Sequence, residues 1–158
     1  MDNIILGIDP GFGRMGFGVV AVRERVCEAI DYGVMTTSSG ILIQDRLVAL
    51  ADDLQSLLDT HKPSVLVMEK LFFTNNQKTA IRVAEARGVI LFLAGQYQLP
   101  VIEFTPTQVK SALTGDGKAN KSAMQRMVKQ LLGLKTIPKP DDAADALAIA
   151  ITASTVRW

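Results

Sequence analysis

Four carboxylates carry the chemistry open to this chain. Asp9 and Glu69 each end a stretch so apolar that a charge looks misplaced there: Asn3 to Ile8 runs into Asp9, and Val65-Leu66-Val67-Met68 into Glu69. Asp142 and Asp145 stand three residues apart, which puts both on one face of a helix. Asp142 falls in that helix's first turn, where the dipole favours negative charge. Asp145 is flanked by Ala143, Ala144, Ala146 and Leu147, small enough to pack tightly on a sheet, where a carboxylate is costly unless it meets a cation. Each acid alone has an ordinary explanation: a turn cap for Asp9, a solvated strand end for Glu69, a dipole residue for Asp142, a lysine or arginine partner for Asp145. One explanation serves all four better, namely that they converge and divalent cations neutralise them. An all-oxygen ligand set suits Mg²⁺ or Mn²⁺, whereas zinc prefers His and Cys. Two such ions about 3.5–4 Å apart activate water and stabilise the leaving oxygen in phosphodiester hydrolysis. The one histidine, His61, precedes Lys62-Pro63 at a helix end and reads as a surface or dipole residue. Serine or cysteine nucleophilic catalysis has no candidate base.

Those acids must be held by a fold, and 158 residues predict a single domain, 1–158, at about 100–200 residues per domain. With 48% apolar and 21% charged residues and a mean hydropathy of +0.22, disorder and low-complexity repeats are excluded. The single Cys27 excludes a disulfide framework and fits a reducing compartment. Met1-Asp2-Asn3 is no basic signal-peptide start, and an apolar run such as Val89 to Ala94 is far below the roughly 18 residues of a membrane span. The expectation is a cytoplasmic protein with no membrane partner. The net charge of +1 hides an asymmetry: residues 1–69 carry 5 Lys+Arg against 10 Asp+Glu, and residues 70–158 carry 12 against 6. A basic second half suits a polyanion, although a solvated helical surface explains it too.

Period and turn signals order the elements. Asn3–Ile8, Phe17–Val22 and Cys27–Met35 read as three strands of an antiparallel meander, with a turn at Asp9-Pro10-Gly11-Phe12-Gly13. Ile41, Leu47, Leu50, Ala51, Leu54, Leu57 and Leu58 fall at helical spacing, predicting a helix over about 41–60. A buried strand at Val65–Met68, a helix from about Asn76 to Gln98 and a short strand Val101–Phe104 follow. Thr105-Pro106-Thr107-Gln108 is a capping box with proline at the first helical position. After the loop Thr114-Gly115-Asp116-Gly117, Asn120 caps a helix with Met124, Met127, Val128, Leu131 and Leu132 on one face. An alanine-rich helix runs from Asp141 to about Thr155. Together these predict an α/β fold: a five-stranded mixed sheet, three meander strands plus two parallel ones, flanked by helices. If the fourth strand lies beside the first, Asp9 and Glu69 end at the same carboxyl edge, where open α/β sheets place their sites.

Gly7-Ile8-Asp9-Pro10-Gly11, Met68-Glu69, Glu85-Ala86-Arg87-Gly88, Thr107-Gln108-Val109-Lys110, Lys121-Ser122 and Asp142-Ala143-Ala144-Asp145-Ala146-Leu147-Ala148 occur in that order. This set closely resembles the RuvC family of Holliday-junction resolvases over essentially the whole chain. The resemblance implies an RNase H-like fold and a homodimer that nicks two opposing strands of a four-way DNA junction symmetrically, leaving 5′-phosphates. It further implies two Mg²⁺ per site, with Mn²⁺ able to substitute, and cooperation with the RuvAB branch-migration complex in recombination and repair. Asp9, Glu69, Asp142 and Asp145 match the family's catalytic, metal-holding carboxylates, while Asp141 is an extra acid expected to face solvent. Phe72 matches an aromatic set against a junction base, with core packing as its ordinary alternative. Lys110 and Lys121 match basic positions near the scissile phosphate, and Arg82 and Arg87 are weaker phosphate candidates. Competing readings are another single-domain RNase H-like nuclease acting on RNA (YqgF-type), an actin-like ATPase domain, and a catalytically silent junction-binding module.

Overall fold

The computed structural model describes residues 3–71 and 77–156, with the side chains of 77 and 78 outside the description. Five strands, β1 (Asn3–Asp9), β2 (Arg14–Arg23), β3 (Val26–Thr36), β4 (Val65–Glu69) and β5 (Val101–Phe104), form one sheet in the order β3-β2-β1-β4-β5. The first three pair antiparallel and the last two run parallel to β1, so the mixed sheet predicted from the patterning is the one that forms. Five helices flank it: α1 (Ile43–His61), α2 (Gln77–Gln96), α3 (Pro106–Thr114), α4 (Lys121–Leu131) and α5 (Asp141–Ser154). None of the described helices is long and apolar enough to cross a membrane.

Alternation along the strands divides the core into two layers. Ile5 on β1 and Val65 and Val67 on β4 face α5, α3 and α4, burying against Leu147, Ile149, Val109 and Val128. Leu6, Ile8, Leu66 and Met68 face the opposite way, onto Leu50, Leu54 and Leu58 of α1 and Ile90 and Leu93 of α2. Strands buried on both faces read as continuous apolar runs, which is why β1 and β4 are conspicuous in the sequence.

Capping chemistry fixes the helix starts. Thr105 Oγ1 accepts from the Gln108 amide at 3.1 Å while Gln108 Oε1 accepts from the Thr105 amide at 2.8 Å, the reciprocal box predicted for α3. Asn120 Oδ1 accepts from the Ala123 amide at 2.8 Å at the head of α4. Three details depart from expectation. The first helix begins at Ile43, leaving Ile41 in an exposed turn, because the 3.6-residue period alone cannot say where the chain turns. The second strand starts three residues earlier than its apolar run, pairing Arg14 with Thr36. Leu131 is 41% exposed, the inner face of α4 being carried by Met124 and Val128 and continued by Leu132 just past its end.

Candidate active site

The parallel β1–β4 pairing runs to Ile8 opposite Met68, so the next residues, Asp9 and Glu69, emerge side by side at the carboxyl edge. Period 2 sets their direction. Residues 5, 7 and 9 share one face of β1 and residues 65, 67 and 69 one face of β4, and this is the face that α5 covers. The helix sits unusually low on that face. A Cβ on Gly7 would stand 2.3 Å from the Ala146 carbonyl oxygen, and one on Gly16, the β2 partner of Asp9, 2.0 Å from that of Asp142. Glycines below and alanines above therefore bring the first turns of α5, with Asp142 and Asp145, down beside Asp9.

The electrostatics register this convergence. Asp9 is raised from 3.8 to about 7, first by burial and then by the charges of Asp145, Glu69 and Asp142, with Lys121 pulling the other way. Burial, followed by Asp145, raises Glu69 against an opposing Lys110. Asp145 is raised by burial, opposed by Lys121, and raised further by Asp142 and Asp141. Asp145 acts on both Asp9 and Glu69, and Glu69 and Asp142 act on Asp9, so the four acids share one site.

Basic side chains currently balance them. Arg14 Nη2 lies 2.9 Å from Asp142 Oδ2, and Lys121 Nζ lies 3.1 Å from Asp141 Oδ2 and 3.7 Å from Asp145 Oδ2. Asp141 does not simply face solvent: it also accepts from Gln125 Nε2 at 3.1 Å and meets Lys139 Nζ at 3.5 Å. With Asp142 and Asp145 turned to these partners, no three acids among the described residues stand close enough to hold one ion as placed. The donor chemistry nevertheless fits a hard divalent cation: four carboxylates, no thiol and no imidazole, with charge accumulated around Asp9. Two clefts meet at Glu69. One of about 290 Å³ is lined by Asp9, Pro10, Lys70, Val83 and Arg87, and one of about 240 Å³ by Lys110, Lys121, Met124 and Asp145.

The remaining predicted positions divide. Lys110 and Lys121 line the second cleft beside the acids. Arg82 is exposed on α2 and pairs with Glu85 Oε2 at 2.9 Å. Arg87 departs from the phosphate role expected of it: its side chain is only 12% exposed, engages Glu103 and donates to the Glu69 carbonyl oxygen at 2.8 Å. Phe72 lies outside the described residues. His61 stands in the last turn of α1, as the dipole reading expects, with Nε2 3.1 Å from Asp31 Oδ2 and the side chain 14% exposed rather than free on the surface. Sequence reasoning missed Arg14, whose meeting with Asp142 depends on the docking of α5. It also missed Arg46, which stacks 3.7 Å over the Phe12 ring. Thr37 Oγ1 accepts from Arg46 Nε and donates to the Phe12 carbonyl oxygen, both at 3.0 Å, pinning the turn that follows Asp9.

Comparison with known proteins agrees with this architecture. The family model described as "Crossover junction endodeoxyribonuclease RuvC" matches residues 5–153. A protein of that name from Pseudothermotoga lettingae is 49% identical over 154 residues, covering 98% of this chain and 95% of that one. Another, from Gloeobacter violaceus, is 50% identical over 149 residues, covering 94% and 86%. Among solved structures, Thermus thermophilus RuvC in complex with a Holliday junction substrate superposes with a TM-score of 0.90 at 35% identity, covering 95% of this chain and 92% of that one.

Proposed function

Because this chain belongs to the RuvC family of crossover junction endodeoxyribonucleases, we infer that it is a Holliday-junction resolvase, and we propose that residues 1–158 act as one RNase H-like nuclease domain that cuts junction strands by phosphodiester hydrolysis. The observation that carries the mechanism is that Asp9 and Glu69 follow paired strands to one sheet edge, with Asp145 close enough to raise both and with Lys110 and Lys121 lining the cleft that Glu69 and Asp145 share. Asp9, Glu69, Asp142 and Asp145 would hold divalent cations, Mg²⁺ in the cell with Mn²⁺ as a substitute. When bound, such ions supply activation of water and charge stabilisation at the leaving oxygen, yielding a 5′-phosphate. The acids on the sheet edge are rigidly placed by β1 and β4, whereas Asp142 and Asp145 must turn from Arg14 and Lys121 to join them. That exchange releases Arg14 from Asp142 and leaves Lys121 held by Asp141 alone, so both cations stand at the mouth of the site where a phosphate diester would arrive. Lys110 and Lys121 then face the strand's phosphates, contacts that give affinity and position without reading sequence. Arg82 would add a contact from α2, and Phe72 one by stacking on a base.

Symmetric paired nicks require two sites, and the outer face of α2 supports a homodimer. Ile81, Leu91 and Phe92 are 57%, 46% and 64% exposed. Ala84, Gly88 and Gly95 share that face, and space is open above both glycines. An apolar stripe with small residues at its centre suits a second copy packed helix to helix. The proposal extends to cooperation with the RuvAB branch-migration complex in the cytoplasm.

A synthetic mobile four-way junction, a linear duplex and an RNA–DNA hybrid, each with Mg²⁺ and with Ca²⁺, test the assignment. Paired nicks confined to the junction with Mg²⁺ are expected. Cleavage of the hybrid or of RNA alone would favour an RNA-processing enzyme, and binding without cleavage a silent junction-binding module.

A further inference from the structure

We propose that Arg87 is a positioning residue for Glu69, locking the end of β4 so that the Glu69 carboxylate meets the cation in one orientation; this rests on the assignment of Glu69 as an ion ligand. The guanidinium spans three elements. From the inner side of α2, Nη1 donates to the Glu69 carbonyl oxygen at 2.8 Å and approaches Met68 Sδ at 3.3 Å, while Nη2 engages Glu103 on β5. Glu103 stands opposite Met68 in the β4–β5 register, so the acid that anchors the arginine is itself fixed to the strand being held. The clamp comes where pairing on the β1 side stops, because β1 pairs with β4 only as far as Met68 while β5 still pairs with Glu69 through Phe104. Beyond that point the Lys70 amide, donating to the Phe104 carbonyl oxygen at 2.8 Å, holds the far side of the strand, and Arg87 holds Glu69 itself.

Two features separate this role from a phosphate contact. The arginine side chain is 12% exposed, and its charge is already matched by Glu103. What it supplies is a rigid fork of donors, which a lysine's single ammonium cannot span.

Arg87→Lys is compared with wild type by Mn²⁺ titration without DNA, read by electron paramagnetic resonance of the free ion. Gel shift of a four-way junction in Ca²⁺ and thermal unfolding accompany it. The lysine variant is expected to unfold cooperatively, to bind the junction within about twofold of wild type, and to bind Mn²⁺ about tenfold more weakly, the scale on which supporting partners of ligands act. Wild-type Mn²⁺ affinity in the variant overturns the positioning role alone. A tenfold loss of junction affinity with Mn²⁺ binding intact overturns it in favour of a phosphate contact. Should Arg87→Lys fail to fold, Glu103→Gln loosens the same fork and must weaken Mn²⁺ binding, or the proposal falls. A wild-type protein that binds no Mn²⁺ overturns the ion-ligand assignment of Glu69 and this proposal with it.

Discussion

Replacing Asp9 by asparagine should make the ion-free protein more stable while abolishing cleavage. Asp9 is held at about 7 against an ordinary 3.8, so above pH 7 both folded and unfolded chains carry the charge and the folded state bears its full repulsion and desolvation. At about 1.4 kcal/mol per tenfold, the displacement amounts to about 4 kcal/mol. Solvent at the open side of the cleft screens part of it, leaving about 2–4 kcal/mol. As pH falls from 7 toward 4 the folded protein takes up a proton that the unfolded chain does not, so this penalty fades and wild-type stability rises. The assay is thermal unfolding in chelator at pH 8 and pH 5.5. Asp9→Asn should melt about 5–15 °C above wild type at pH 8, from about 2–4 °C per kcal/mol for a chain of this size, with the gap narrowing at pH 5.5. Saturating Mg²⁺ should close the gap from the other side by stabilising wild type and not the variant. Equal melting of the two proteins at pH 8, or equal stabilisation of both by Mg²⁺, would show that Asp9 is not part of a convergent acid cluster.

Other perturbations probe the rest of the site. Asp145→Asn should still shift a four-way junction on a gel but leave it un-nicked with Mg²⁺; wild-type cutting would remove Asp145 from the ion-holding set. Gly16→Ala forces a methyl to within 2.0 Å of the Asp142 carbonyl oxygen, so α5 must lift from β2. The expected loss is about 2–4 kcal/mol in denaturant unfolding together with slower cleavage, and an unchanged midpoint would contradict the close helix–sheet approach. Phe92→Glu, at a position 64% exposed, should leave folding intact and convert a dimer to monomer in sedimentation velocity. An unaltered sedimentation coefficient would place the subunit contact elsewhere.

Much of the architecture could be read along the chain because it rests on local rules. Runs buried on both sides marked β1 and β4, the Thr105–Gln108 box marked the head of α3, and Asn120 marked that of α4. The four acids were visible for the same reason: a carboxylate closing an apolar strand, or set among alanines, violates the burial pattern around it. Arg87 and Asp141 were less legible. An arginine on a helix looks alike in sequence whether it reaches phosphate or turns inward to a backbone carbonyl, and an acid at a helix start looks solvated until a lysine on another helix arrives.

Residue type and order were thus sufficient for the elements, their sequence along the chain and the hard-cation character of the acids, since each depends on a residue and its near neighbours. Which acids face one another, and which base balances each, was decided by the descent of α5 onto Gly7 and Gly16 and by the parallel register of β1 with β4. Those are contacts between segments more than a hundred residues and about sixty residues apart along the chain, respectively. Only packing in three dimensions sets the distance between such charges, and distance is what determines their energy.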